Sequence, residues 1–167
     1  GPGSYTGLRI GVSLAKGLCF GLNIPLIAVP TLDCLASEAI RQNGGASDGL
    51  YCPMLDARRM EVYAALYDSA LQTVRPVAAE VIDASSYASF LAEGKVYFFG
   101  NGSEKCKSLL TAPNACFIDG VSPLATGMIP LSLRAFASRR FENVAYFEPF
   151  YLKEFQATVA KNKVLGK

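Results

Sequence analysis

Residues 1–35, GPGSYTGLRIGVSLAKGLCFGLNIPLIAVPTLDCL, decide how the chain is read, because a glycine-rich turn runs straight into an almost wholly apolar segment. From Thr6 to Leu22, apolar residues sit at 8, 10, 12, 14, 15, 18, 19, 20 and 22. At about 100° per residue they predict a helix covered on nearly every side. The exception is one thin polar stripe of Arg9, Ser13 and Lys16. Such a helix is expected to be buried. Glycines 7, 11, 17 and 21 add two small-x-x-x-small steps. Each glycine costs about 1 kcal/mol of helix propensity relative to alanine and is useful where another backbone comes close. Arg9 and Lys16 inside the segment, and Asn23-Ile24-Pro25 closing it, argue against a membrane span, which needs about 20 apolar residues.

Working outward, Pro25–Pro30 reads as a short buried strand, and Thr31 offers an N-cap to a helix from Leu32 to Arg41, together an α/β crossover. Residues 42–49, QNGGASDG, form a turn-rich linker. Beyond it, Leu50–Asp56 and Glu61–Tyr67 are strand-like runs joined by Ala57-Arg58-Arg59-Met60, with a third strand expected near Val77–Ile82. A helix near Ser86–Glu93, a strand Val96–Phe99, a helix from Ser103 to Leu110, a strand Cys116–Ile118 and an amphipathic helix Leu131–Phe141 complete the reading. Strands separated by helices imply a mixed α/β architecture with parallel pairs.

The 167 residues, 51% of them hydrophobic, suffice for one generous domain or two small ones and exclude disorder. Sixteen Lys and Arg against 14 Asp and Glu give no bulk electrostatic case for nucleic acid or anionic lipid. The balance is uneven: residues 134–167 carry seven basic and three acidic side chains, as a solvated terminal helix and tail or as a basic docking surface. Five widely spaced cysteines without a CxxC pair read as reduced core thiols of a cytoplasmic protein. The chain has no histidine, which removes Ser-His and Cys-His hydrolase chemistry, a His-ligated zinc site and a histidine general base together. Ser4, Ser13 and Cys19 lack a base unless Lys16 has a strongly lowered pKa.

Three stretches are candidates for chemistry. The turn before the first helix places Gly3, Ser4, Thr6 and Arg9 where N–H groups and the helix dipole suit a phosphate or other anion, although tight backbone packing explains the glycines equally. Asp56-Ala57-Arg58-Arg59-Met60-Glu61 gathers opposite charges at a strand end, either as a surface salt-bridge cluster or as a phosphate- or partner-facing contact through Arg58, Arg59 and Glu61. Gly100-Asn101-Gly102, between strand and helix, has a geometry that suits a nucleotide in actin-like folds.

Taken in order, GPGSYTGLRIG, AKGLCFGLNIPLIAVPTLDCLA, DARRMEVYAALY, the strand plus FGNG, and EPFYLKEF resemble the TsaB (YeaZ) family along nearly the whole chain. The resemblance implies an ASKHA-type α/β fold, the actin and sugar-kinase architecture of two related domains. It also implies a role in making threonylcarbamoyladenosine beside the anticodon of tRNA. In that system TsaD transfers the threonylcarbamoyl group, TsaE is a small ATPase, and TsaB is a non-catalytic partner of TsaD. The implied partners are therefore a TsaD-like protein, a TsaE-like ATPase in a ternary complex, a second copy of the chain, and tRNA only indirectly. No catalytic residue, cofactor, metal or membrane is implied, and an ATP-binding ASKHA enzyme is the alternative. TsaD-like proteins carry a metal-binding histidine pair on the helix corresponding to residues 31–35, and this chain has no histidine to supply it.

Family members carry an N-terminal segment with a phosphate loop before GPGS, so the first domain is expected to be truncated and prone to self-association. The expected organisation is residues 1–43 as the remainder of the first domain, 44–49 as linker, 50–145 as the second domain, and 146–167 as a tail returning to the first. On the first helix, Gly7, Gly11, Leu14 and Leu18 are the expected partner interface.

Overall fold

The computed structural model describes residues 1–45 and 48–153. Its centre is a five-stranded mixed sheet of β1 (Gly49–Asp56), β2 (Glu61–Tyr67), β3 (Thr73–Val81), β4 (Lys95–Phe99) and β5 (Ala115–Ile118), in the order β3-β2-β1-β4-β5. The first three strands form an antiparallel meander, whereas β4 runs parallel to both β1 and β5. Successive side chains of a strand point to opposite faces, and both faces here are apolar. Cys52, Met54, Val62, Ala64, Leu66, Val96 and Phe98 enter one core with Ile82, Tyr87, Cys106, Leu110 and Leu91 of helix α3 (Ala88–Glu93). Tyr51, Ala65, Tyr67 and Phe99 enter the other. That second core is closed by Leu32, Leu35, Ala36 and Ala39 of helix α2 (Thr31–Gln42). α2 and β1, parted in sequence, thus pack together. Helix α4 (Ala125–Ala137) lies against α2, so close that a Cβ on Gly127 would stand 3.1 Å from the Cys34 carbonyl oxygen and Sγ.

β1, β2, β4 and β5 lie within a residue of their sequence reading, β3 starts four residues before its expected Val77, and other elements depart further. Residues 25–30 form no strand; one isolated antiparallel bridge joins Leu26 to Glu142, and Pro25, Ala28 and Pro30 are exposed. Two prolines remove donors from this short segment, and among the described residues only Glu142 pairs with it. Thr31 is the first helical residue of α2 rather than its cap, and Pro30, in the cap position, makes no side-chain bond. The helix expected over Ser103–Leu110 is a single 3-10 turn, Glu104–Cys106. There the Ser103 hydroxyl donates to Gly100 O (2.8 Å) and the Lys105 ammonium is drawn back to Glu61 O (2.7 Å), contacts that compete with helix propagation. Helix α4 begins at Ala125, six residues before its expected start, carries Pro130 inside, and ends at Ala137, short of the expected Phe141, with Arg139 just beyond it at a left-handed φ of 52°.

Helix α1 (Tyr5–Leu22) has the expected limits but not the expected burial. Cys19 is its only buried residue, while Ile10, Leu14, Leu18 and Leu22 are between 53% and 65% exposed and Phe20 is 83% exposed. The helix is fastened at its polar stripe, where the Lys16 ammonium donates to the carbonyls of Ala145 (3.1 Å) and Phe147 (2.9 Å). Tyr5 packs on Tyr151 with ring centroids 4.9 Å apart.

Candidate functional site

The glycine-rich turn is used structurally. Ser4 is the N-cap of α1, its hydroxyl accepting from Gly7 N (3.3 Å) and its carbonyl from Leu8 N (2.8 Å). Pro2 is buried, and Gly1 O accepts from Thr31 N (3.1 Å), tying the turn to the start of α2. Arg9 lies over the Tyr5 ring at 4.8 Å, while Gly3 and Thr6 are exposed. A cleft of about 960 Å³ separates α1 from the segment 26–33 and α4, lined by Leu8, Val12, Ile27, Val29 and Leu131 with Arg134 at its polar edge.

The outer side of α1 has a composition that the one-dimensional reading did not resolve. On a helical wheel of about 100° per residue, Ile10, Leu14, Leu18 and Leu22 fall within one arc of about 140°, and all four glycines fall within the same arc. A Cβ built on Gly11, Gly17 or Gly21 meets nothing within 4 Å. No backbone among the described residues uses the close approach these glycines permit. The arc is a shallow strip of aliphatic side chains and bare backbone, a shape that leaves room for the close approach of a second helix. Gly7, Gly11, Leu14 and Leu18 are thus brought together on one exposed strip, with Gly7 and Gly11 also at the rim of the cleft.

The charged stretch at the β1–β2 turn is wired differently from a local salt-bridge cluster. Asp56 and Glu61 pair with lysines distant in sequence rather than with the adjacent arginines. The Asp56 carboxylate accepts from the Lys105 ammonium and from Arg58 N (3.1 Å), and Glu61 accepts from Lys153. The Lys105 ammonium beside Asp56, helped by Arg58 N, holds its carboxyl below the usual aspartate value despite some burial. Asn101 of the Gly-Asn-Gly turn locks this end of β1: Asp56 N donates to Asn101 Oδ1 (3.0 Å), and Gly102 N donates to Met54 O (2.9 Å). Arg58 and Arg59 both adopt left-handed backbone conformations, at φ 74° and 49°, and their exposed guanidinium groups make no ion pair among the described residues. Lys105 and Lys153 had no local signal: they meet Asp56 and Glu61 only through folding. The basic stretch 134–167 extends into residues 154–167, outside the described residues.

Four of the five thiols are buried, and Cys116 is partly so. Burial pushes Cys34 and Cys106 above the ordinary thiol value and Cys52 up to about 12. Among the described residues no group of three or more His, Cys, Asp or Glu could hold a metal ion, and no helix is long and apolar enough to cross a membrane.

Comparison with known proteins places this geometry. The family model described as "TsaD: tRNA N6-adenosine threonylcarbamoyltransferase" matches residues 1–161, so the chain is of that α/β class, and its mixed five-stranded sheet is consistent with an ASKHA-type fold. The Escherichia coli K12 protein named "tRNA threonylcarbamoyladenosine biosynthesis protein TsaB" is 31% identical over all of this chain and 72% of its own length. A Bacillus subtilis protein of the same name is 55% identical over 67 residues, 40% of this chain and 27% of that protein. The crystal structure of an uncharacterized protein with similarity to peptidase YEAZ from Pseudomonas aeruginosa superposes with a TM-score of 0.74 at 24% identity, covering 92% of this chain and 70% of that one. YeaZ from Pseudomonas aeruginosa superposes at 0.72 with 25% identity, over 91% and 71%. The chain belongs to the TsaB (YeaZ) family.

Proposed function

We propose that this chain acts in the synthesis of threonylcarbamoyladenosine in tRNA as a non-catalytic partner of a TsaD-type transferase, docking it through the outer strip of α1 in a cytoplasmic complex. The observation that carries this reading is the coincidence of Ile10, Leu14, Leu18 and Leu22 with Gly7, Gly11, Gly17 and Gly21 on one exposed arc. Isolated exposed aliphatics need no explanation, but a continuous apolar strip on a soluble protein marks an interaction surface. The names carried by the relatives supply the pathway. The ASKHA alternative, an ATP-using enzyme, is less well supported: Ser4 is occupied as a cap and Arg9 rests on Tyr5, which leaves the turn few groups for a phosphate. A peptidase fares worse, with no histidine in the chain and three thiols raised by burial. The same reading takes residues 1–43 as belonging to the first of two related domains, and it allows a TsaE-like ATPase and a second copy of the chain as further partners.

Gly11→Leu tests the docking strip. The added side chain meets open space, so the fold tolerates it and helix propensity rises by up to about 1 kcal/mol. A bulky group there blocks close helix approach, and the variant is expected to lose co-purification with the TsaD-type enzyme while its circular-dichroism melt is not lowered. Undiminished pull-down by the variant overturns the assignment.

A further inference from the structure

We propose that the β1–β2 hairpin tip is a phosphodiester-binding contact through which this protein touches tRNA directly, with Arg58 and Arg59 as the contacting residues. The inference deepens the reading above and rests on it for the identity of the nucleic acid.

Three observations carry it. First, the two arginines occupy consecutive positive-φ positions, where a residue with a Cβ costs roughly 1–2 kcal/mol relative to its usual conformations. Such a turn is ordinarily filled by glycine, asparagine or aspartate, so two long cationic side chains there have no structural advantage. Second, the acidic neighbours that would quench them are already engaged. Asp56 is held by Lys105 and Arg58 N, and Glu61 by Lys153, leaving the two guanidinium groups unpaired among the described residues. Third, the tip is fixed from behind rather than floppy. Asn101 Oδ1 receives Asp56 N, Lys105 reaches Glu61 O, and Glu61 N donates to Arg58 O (3.1 Å). A planar fork of N–H donors on a braced hairpin is suited to phosphate oxygens, and ordering it costs little on binding.

The surroundings favour a polyanion over a protein surface. Protein interfaces have an apolar centre. No large hydrophobic side chain is exposed between residues 50 and 62 or between 95 and 107, and the one exposed aliphatic in register is Val81, opposite Glu61. The apolar α1 strip and this polar, cationic tip have opposite character and suit different partners.

The test is a fluorescence-anisotropy titration of a labelled, unmodified tRNA transcript against the chain in complex with its TsaD-type enzyme and against the chain alone, at several salt concentrations. Arg58→Gly combined with Arg59→Gly removes both guanidiniums and suits the backbone better than arginine, so misfolding does not confound it. The double variant is expected to bind tRNA about five- to tenfold more weakly near 0.1 M salt, with the slope of log K against log salt smaller by about two. Lysine at both positions should keep the slope and lose part of the affinity. Unchanged affinity and slope in the glycine variant overturn the proposal. So does loss of a protein partner with tRNA binding intact, which would mark the tip as a contact for an acidic protein surface. If no complex with the TsaD-type enzyme forms, the pairing proposed above fails, and the titration of the chain alone still reads the two arginines.

Discussion

At Gly100, φ is +93° and a Cβ would stand 2.5 Å from Met54 O, so both conformation and space demand glycine. Gly100→Ala should therefore lower the unfolding free energy by about 3 kcal/mol, read from the urea midpoint and slope, more than most surface changes in this chain. Glu38 is a second residue whose role is physical. Its carboxylate, nearly inaccessible on α2, accepts from Arg41 Nε (3.1 Å) and Nη2 (2.6 Å) and from Gln42 Nε2 (2.8 Å). These bonds hold its pKa below the ordinary glutamate value of 4.5. A depressed carboxylate contributes stability that is present above the unfolded pKa and is lost as pH falls through the folded one. Glu38→Gln should accordingly flatten the decline in stability below about pH 4.5, with a loss of about 1 kcal/mol at neutral pH. Neither role was visible in one dimension: Gly100 was legible only as part of a Gly-Asn-Gly turn, and Glu38 looks like any polar residue of an amphipathic helix. Arg58 and Arg59 were legible as charges, but the lysines that free them, 105 and 153, come from 49 and 92 residues away from the carboxylates of Asp56 and Glu61 that they hold.

At the scale of elements, the short apolar runs in 50–56, 61–67 and 96–99, bounded by turn residues, were enough to place the strands, because a sheet buried on both faces needs near-continuous apolar sequence. Segment 25–30 shows the limit of the same logic: an apolar run becomes a strand only beside a partner, and Leu26 finds one bridge. The apolar period of α1 predicted its length correctly and its burial wrongly, since periodicity reports which side is apolar and not what covers it. Packing decides stability for α2, where Leu35 is fully buried against Tyr51, Ala65 and Phe99. Leu35→Ala should lower unfolding free energy by about 2–4 kcal/mol, measured by denaturant midpoint at constant slope.

For the whole molecule, the apolar strip of α1 and exposed Met128, Ile129, Leu133 and Phe136 of α4 leave hydrophobic surface on the same half of the protein that lines the cleft. Such surface is expected to drive self-association. Light scattering across a concentration series should show a mass that climbs above the 17.8 kDa of one chain, and Leu14→Glu should restore it to that value; a wild-type chain that stays monomeric throughout contradicts this. The mixed α/β class and the TsaB family were reachable from motif order along the sequence, whereas the uneven distribution of burial needed three dimensions. That unevenness has a calorimetric meaning. The sheet is sandwiched between two apolar layers, whereas α1 contributes one buried side chain and is held by the Lys16 ammonium clasping two carbonyls and by Tyr5 against Tyr151. Heat should therefore meet two units of unequal strength: differential scanning calorimetry is expected to show a small early transition that releases the first helix ahead of the larger endotherm of the sheet, and a single two-state endotherm contradicts this.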